Sequence, residues 1–302
     1  MKKIPILFLL LLSLSSCGAK RGKNNEQIID QENINIISDI NQLAIDTFLK
    51  KDINDGLKKI DQELENYDVA FSPKVKSDVK EEIIKNVEKE ASKNPKAKWV
   101  YDNFFNITNV EAYLTGNDTD TIEFVYNMNN DMTDFPYHPG ESIKINRKTP
   151  YYIQWDNRWA YDSLGQRNIG ISGCGPTSVA MVLSRLENDN SITPDKIAKD
   201  AKTYMADEGI SWIFFNDEAK KYKKNISDIE INEEKMKEAL EKGPLIVSVN
   251  KGYFTLFGHI FVIDSYKDGK FYINDPNSIK NTMRPWTFEE INNQIAHIWQ
   301  IY

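Results

Sequence analysis

Ile171-Ser172-Gly173-Cys174-Gly175-Pro176-Thr177-Ser178, running on into Val179-Ala180-Met181-Val182-Leu183-Ser184-Arg185-Leu186, is the stretch from which the fold is read. Its second half is apolar or small at nearly every position and holds no glycine or proline, the pattern of a buried helix. Its first half is a glycine-bracketed turn. Pro176 fits the first turn of a helix, where a missing N–H costs nothing. Cys174, one of two cysteines in the chain, is therefore expected at or just before a helix N-terminus. There the helix dipole and the free first-turn N–H groups favour thiolate, the nucleophilic form. Glycine on either side lets a substrate carbonyl approach the backbone, and the Cys174 N–H can point at a developing oxyanion. A structural cysteine would also fit an apolar helix, so the assignment depends on what else the chain supplies.

A histidine and an acid are supplied further on. Gly258-His259 opens a strand pattern over 258–266, Asp268-Gly269 is a hairpin turn, and 270–274 is the return strand, ending at Asp275-Pro276. A histidine at a strand start and an acid at the end of the neighbouring strand can act as base and orienter. Counting across the turn puts Asp275 opposite Val262 or Ile263, so contact with His259 requires twist, a bulge or a chain bend. Twenty residues before Cys174, Gln154 stands in Tyr151-Tyr152-Ile153-Gln154-Trp155-Asp156. Its carboxamide is a suitable second oxyanion donor.

Taken in order, Tyr152-Ile153-Gln154-Trp155-Asp156 with Trp159-Ala160, Ser172-Gly173-Cys174-Gly175-Pro176-Thr177-Ser178 with Ala180-Met181, Gly258-His259, Asn274-Asp275-Pro276 and Trp286-Thr287-Phe288-Glu289-Glu290-Ile291 resemble the peptidase C39-like family of papain-like cysteine peptidases. The resemblance covers about 151–302. It implies an α+β fold in which an N-terminal nucleophile helix packs on an antiparallel sheet. It implies Cys174 as nucleophile, His259 as general base and then acid, Asp275 as orienter and Gln154 as oxyanion donor. Asp264 departs from the pattern where a small residue is expected, and is read as an exposed strand residue. His297, in the alternating run 295–302, is read as a sheet residue, and His138 as a surface loop residue. Gly243-Pro244 reads as a helix stop before a strand at 245–249. No Cys/His cluster has metal-ligand spacing and no glycine-rich phosphate loop occurs, so neither metal nor cofactor is expected.

The chain begins Met1-Lys2-Lys3, runs apolar over 4–12, and reaches Leu14-Ser15-Ser16-Cys17-Gly18. That run is too short to span a bilayer, which takes roughly 20 residues. The ending resembles the bacterial lipobox, which implies a signal peptide at 1–16, cleavage, and a diacylglycerol thioether on Cys17. Two acyl chains give stable anchoring, here to the outer face of the cytoplasmic membrane. Residues 17–32 are polar and read as a tether. Helical spacing is expected over 36–48, 53–64 and 75–87, the last starting near Ser72-Pro73 and closed by Pro95. Two strands are expected at 110–114 and 121–126 around Gly116-Asn117. Residues 33–145 are thus read as a small helical or α+β domain of unknown role, and 146–302 as the C39-like domain. The boundary falls between the Pro139-Gly140 loop and the basic stretch 144–148.

Composition sets outer limits. A net charge of -7, with no dense Lys/Arg patch interleaved with aromatics, excludes nucleic acid as an expected partner. Two cysteines in unlike contexts exclude a disulfide framework. The expected function is a secreted, membrane-anchored cysteine peptidase acting on a peptide or protein. Three rivals stand beside it: peptidoglycan amide cleavage or transpeptidation on cell-wall material, a catalytically inactive peptide-binding lipoprotein, and a partner-binding role carried by 33–145.

Overall fold

The computed structural model of the chain describes residues 72–206 and 209–302. The signal, Cys17, the tether and the helices expected at 36–48 and 53–64 lie outside those residues. The described part opens with helices α1 (Lys80–Ala91), α2 (Pro95–Asn103), α3 (Asn109–Asn117) and α4 (Ile122–Asn129). Helix α1 starts later than expected. The preceding backbone is committed elsewhere: Ser77 N–H donates to Asn117 Oδ1 at 2.9 Å, and Lys76 N–H to the Gly252 carbonyl at 2.9 Å. Val75 and Val79 are accordingly exposed while Ile83 and Val87 are buried.

The strands expected at 110–114 and 121–126 are helices. Thr108 and Glu111 form a capping box that starts α3, each side chain bonding the other's backbone N–H. That Thr-x-x-Glu signature specifies a helix start and outweighs the weak β preference of Val110, Tyr113 and Thr115, which reflects packing context more than backbone preference. Pro95 closes nothing further: it is the first residue of α2, capped by the Asn94 side chain.

Beyond these helices come the hairpin β1 (Ser163–Leu164) and β2 (Arg167–Asn168), the single turn α5 (Ile169–Ser172), helices α6 (Cys174–Glu187) and α7 (Pro194–Ala201), and the hairpin β3 (Met205–Ala206) and β4 (Gly209–Ile210). Then follow α8 (Ile213–Lys221), β5 (Ile226–Asp228), α9 (Glu233–Leu240), β6 (Leu245–Asn250), β7 (Gly258–Lys267) and β8 (Lys270–Asn274). The chain ends with α10 (Ile279–Met283), β9 (Pro285–Trp286), α11 (Phe288–Ile291) and β10 (Ile295–Ile301). One antiparallel sheet runs in the order β5-β10-β6-β7-β8-β9. Helix α6 packs against β7 and β6, with residues 175–184 all buried. Each Val, Leu or Met so buried contributes about 1.5–3 kcal/mol. A second core joins Met236 and Ala239 of α9 to Val247, Phe261, Ile273 and Trp286 of the sheet.

Helices α1–α4 do not form a core of their own. Ile83, Val87, Val100, Phe104 and Phe124 share one cluster with Ala160, and Trp155, Tyr161 and Ile171 pack against it. The described residues belong to one compact unit, and the boundary expected at 145/146 falls inside it. His138 lies in a loop, its Nδ1 facing Arg158 Nη1 at 3.2 Å. His297 sits in β10 as expected, 2.9 Å from Asp228 and with its ring centroid 5.0 Å from that of Trp212.

Candidate active site

Cys174 is the first residue of α6, partly exposed, with its sulfur free. The turn α5 delivers it there. Gly173 N–H donates to the Ile169 carbonyl at 2.7 Å, and a Cβ at Gly173 would run into that same carbonyl, so only glycine closes the turn this tightly. The helix start is then held against the start of β7. Ser178 lies one turn on from Cys174, on the same helix face. Its Oγ donates to the Ile260 carbonyl at 3.2 Å. Gly175 passes so close to the β3–β4 hairpin that an added Cβ would lie 2.9 Å from Ile210. These contacts bring the cysteine to the strand that begins Gly258-His259.

His259 is buried and pairs with Val249 of β6. Its Nε2 lies 2.7 Å from Asp275 Oδ1. The hairpin reaches this contact through a bulge. The pairs Lys267↔Lys270, Tyr266↔Phe271 and Ser265↔Tyr272 are regular, after which Ile263, not Asp264, pairs with Ile273. Skipping Asp264 moves the end of β8 one residue closer to His259, and the bend after Asn274 completes the approach.

Asp264, expected to be exposed, is buried at 3%. As the bulge residue it turns inward, where Oδ1 accepts the Thr149 N–H at 2.7 Å and pairs with Arg185 at 3.3 Å. Those partners engage it, so it does not compete for His259.

Asp275 is fully buried and fully ligated. Besides His259, Oδ1 accepts the Asn277 N–H at 2.9 Å and Oδ2 accepts Asn281 Nδ2 at 2.9 Å. Its own carbonyl accepts the Tyr151 hydroxyl at 2.8 Å, and its N–H donates to Thr282 Oγ1 at 2.9 Å. Burial alone would raise the carboxyl pKa. The charge and hydrogen bond of His259, with the bonds from Asn281 and Asn277, override this and hold it below its ordinary value. For His259 burial alone would depress the imidazole pKa. The charge and hydrogen bond of Asp275, then the hydrogen bond and charge of Cys174, raise it to about 10. Both partners favour the protonated imidazole, with the acid at Nε2 and the cysteine on its other side.

Gln154 is buried, and its Nε2 donates to the Gly170 carbonyl at 2.8 Å, while its backbone N–H donates to the Pro276 carbonyl at 2.8 Å. It is therefore tied both to the turn before Cys174 and to the loop after Asp275. A carboxamide nitrogen has two donors, and one remains after the bond to Gly170. Gln154 Oε1 has no hydrogen-bond partner among the described residues.

Sequence reading missed Asn277, Asn281, Tyr151 and Arg147. Arg147 is half-buried against the acid loop, donating to Asn274 Oδ1 at 2.6 Å and to the carbonyls of Ile273 and Thr282. Burial lowers its pKa to about 10, opposed by the nearby Asp264 carboxylate. In sequence it belonged to a basic stretch at a presumed boundary. Nothing in a run of Asn and Thr residues marks which of them meet a carboxylate across the fold.

Helix-borne cysteine, strand-borne histidine and buried acid on an antiparallel sheet define a papain-like cysteine peptidase domain by fold. The chain belongs to the Peptidase_C39 like family, whose profile matches residues 147–302. Among solved structures it is similar to the peptidase domain of Streptococcus ComA, a bifunctional ABC transporter involved in a quorum-sensing pathway. That match has 18% identity, covers 47% of this chain and 96% of that one, and has a TM-score of 0.36. It is also similar to a double glycine motif protease from an AMS/PCAT transporter in complex with its leader peptide. There the identity is 20%, the coverage 55% and 98%, and the TM-score 0.36. No curated protein matches the chain significantly.

Proposed function

We propose that this chain is a cysteine peptidase that cleaves peptide bonds through an acyl-enzyme on Cys174. The observation that carries the reading is His259, buried between Asp275 and Cys174 and raised to about 10 by both. The Cys174 sulfur attacks the scissile carbonyl carbon as thiolate, and the carbonyl π electrons move to oxygen. First-turn N–H groups of a helix have no intrahelical partner, so the Cys174 N–H is available to the oxyanion, with Gln154 Nε2 as second donor. The C–N bond then breaks, and the leaving nitrogen takes the proton from His259. In the thioester the sulfur no longer carries charge, so one of the influences raising the imidazole is gone. The neutral ring then takes a proton from water as its oxygen attacks the thioester carbon; the C–S bond breaks, the sulfur leaves as thiolate beside the protonated ring, and the acid is released.

Incubation with a mixed peptide library, read by mass spectrometry for new termini and for an adduct on Cys174, tests this. Wild type yields both, and C174A yields neither. Equal cleavage by C174A sinks the reading.

The lipobox-like Leu14-Ser15-Ser16-Cys17-Gly18 supports a second part of the proposal. Cleavage before Cys17 and diacylglycerol on its sulfur hold the enzyme at the outer face of the membrane, where peptides outside the cell are its substrates. Metabolic labelling with a fatty acid in a bacterial host marks the wild type and leaves Cys17→Ser unlabelled. Label on the serine variant would exclude this anchor.

A further inference from the structure

Helices α1–α4 precede the stretch matched by the family profile, yet they reach the acid loop. Asp118, 8% exposed at the C-terminus of α3, accepts Asn277 Nδ2 on Oδ2 at 3.3 Å, and pairs through Oδ1 with Lys76 at 2.5 Å. Asn277 is held on its other sides as well. Its backbone N–H donates to the Asp275 carboxylate at 2.9 Å, and its carbonyl accepts Trp155 Nε1 at 2.9 Å. Its own Oδ1 is buried without a hydrogen-bond partner among the described residues, and the bond to Asp118 orients the side chain. A bond to a charged acceptor is stronger than one to a neutral acceptor.

A second contact reaches the same centre. Phe124 of α4, 1% exposed, packs on Gly170 so closely that a Cβ there would overlap its ring. Gly170 carries the carbonyl that holds Gln154.

We infer that the helices before the family-matched stretch belong to the catalytic apparatus, and that Asp118 is a positioning residue acting through Asn277 on Asp275. Burial explains the choice of partners. The Asn277 amide is shut away from water, so only a protein acceptor replaces what hydration would give it. A loop so fixed keeps the Asp275 carboxylate aimed at His259, and errors of about 1 Å in such an orientation cost up to a hundredfold in rate.

The inference rests on the peptidase reading, and one experiment on the full chain separates the two. The rate of Cys174 alkylation by iodoacetamide is followed against pH for wild type, H259A, D118A, D118N and Asp102→Asn. Asp102 pairs with Lys98 on an exposed face of α2 and serves as control. Alkylation that falls about tenfold in D118A, with a pH profile shifted toward that of H259A, is the expected result. D118N keeps an oxygen acceptor for Asn277 and recovers most of the rate, and the Asp102 variant matches wild type. Should D118A not fold, Asn277→Ala breaks the same bond from the loop side and carries the same expectation. A His259-dependent thiol whose rate and profile are untouched by D118A overturns the inference alone. So does a D118N variant as slow as D118A. A wild-type thiol indifferent to His259 overturns the catalytic reading and this inference with it.

Discussion

Asp275 and His259 meet at 2.7 Å although they lie sixteen positions apart across a hairpin and a regular ladder would not bring them together. The skipped residue, Asp264, supplies one residue of the offset and the bend after Asn274 the rest. The same bulge therefore aims the acid at the base and buries a second acid against Arg185. From this geometry four outcomes follow.

Removing the sulfur changes the base. Since the hydrogen bond and charge of Cys174 are among the influences raising His259, C174A lowers the imidazole pKa from about 10 while leaving the Asp275 contribution in place. A titration of the imidazole C–H resonances, compared with H259A for assignment, measures it. An unchanged His259 pKa in C174A would mean that the two groups do not interact.

Stability should depend on pH through the same pair. His259 is raised above its ordinary 6.5, so its contribution is complete below that value and is lost as pH rises through about 10. Asp275 is depressed below its ordinary 3.8, so its contribution is present above that value and fades as pH falls through its folded pKa. Urea unfolding of wild type and D275N across pH 4 to 10 reads this. The stability gap is widest near pH 5 to 6 and narrows from about 6.5 upward. A gap that widens toward alkaline pH contradicts the assignment.

Asp264→Ala tests the bulge. It leaves the Thr149 N–H without its acceptor in a buried site and takes the carboxylate from Arg185, which keeps the Thr149 hydroxyl and the Asp264 carbonyl, at a cost of about 1–3 kcal/mol. Because Asp264 does not touch His259, the pH profile of Cys174 alkylation keeps its shape in the folded variant. A shifted profile would give Asp264 a part in the catalytic pair.

Gly173→Ala tests the turn that presents the cysteine. The new methyl collides with the Ile169 carbonyl, and overpacking of this kind costs about 1–3 kcal/mol. Thiol reactivity falls with it, since Cys174 follows directly. A fully stable and fully reactive variant would show that the turn has room.

Much of the family-matched half was legible in sequence because its signals are local. Residues 179–186 announce a buried helix by composition and Asp268-Gly269 announces a two-residue hairpin turn; the helix runs over Cys174–Glu187, and the turn has φ of 52° and 76°. The strands expected at 110–114 and 121–126 are helices because the Thr108–Glu111 cap fixes a helix start that the strand-like residue types do not signal. Arg147, Asn277 and Asn281 gave no signal at all. A polar side chain is recognised as buried only by the partners around it, and these lie up to 135 residues away.

By itself, then, the order of residues determined the helix that begins at Cys174, the hairpin bearing His259, and the resemblance of the segments holding Cys174, His259, Asp275 and Gln154 to one family pattern. Each rests on periodicity or on a short motif, which the chain encodes within a few turns or strands. Tertiary structure decided the rest: the bulge that closes Asp275 onto His259, the burial of Asp264, and the sharing of one core between α1–α4 and the segment around Ala160. Those depend on which distant backbone and carboxylate groups lose their water together. That is a property of the packed chain, and no local stretch specifies it.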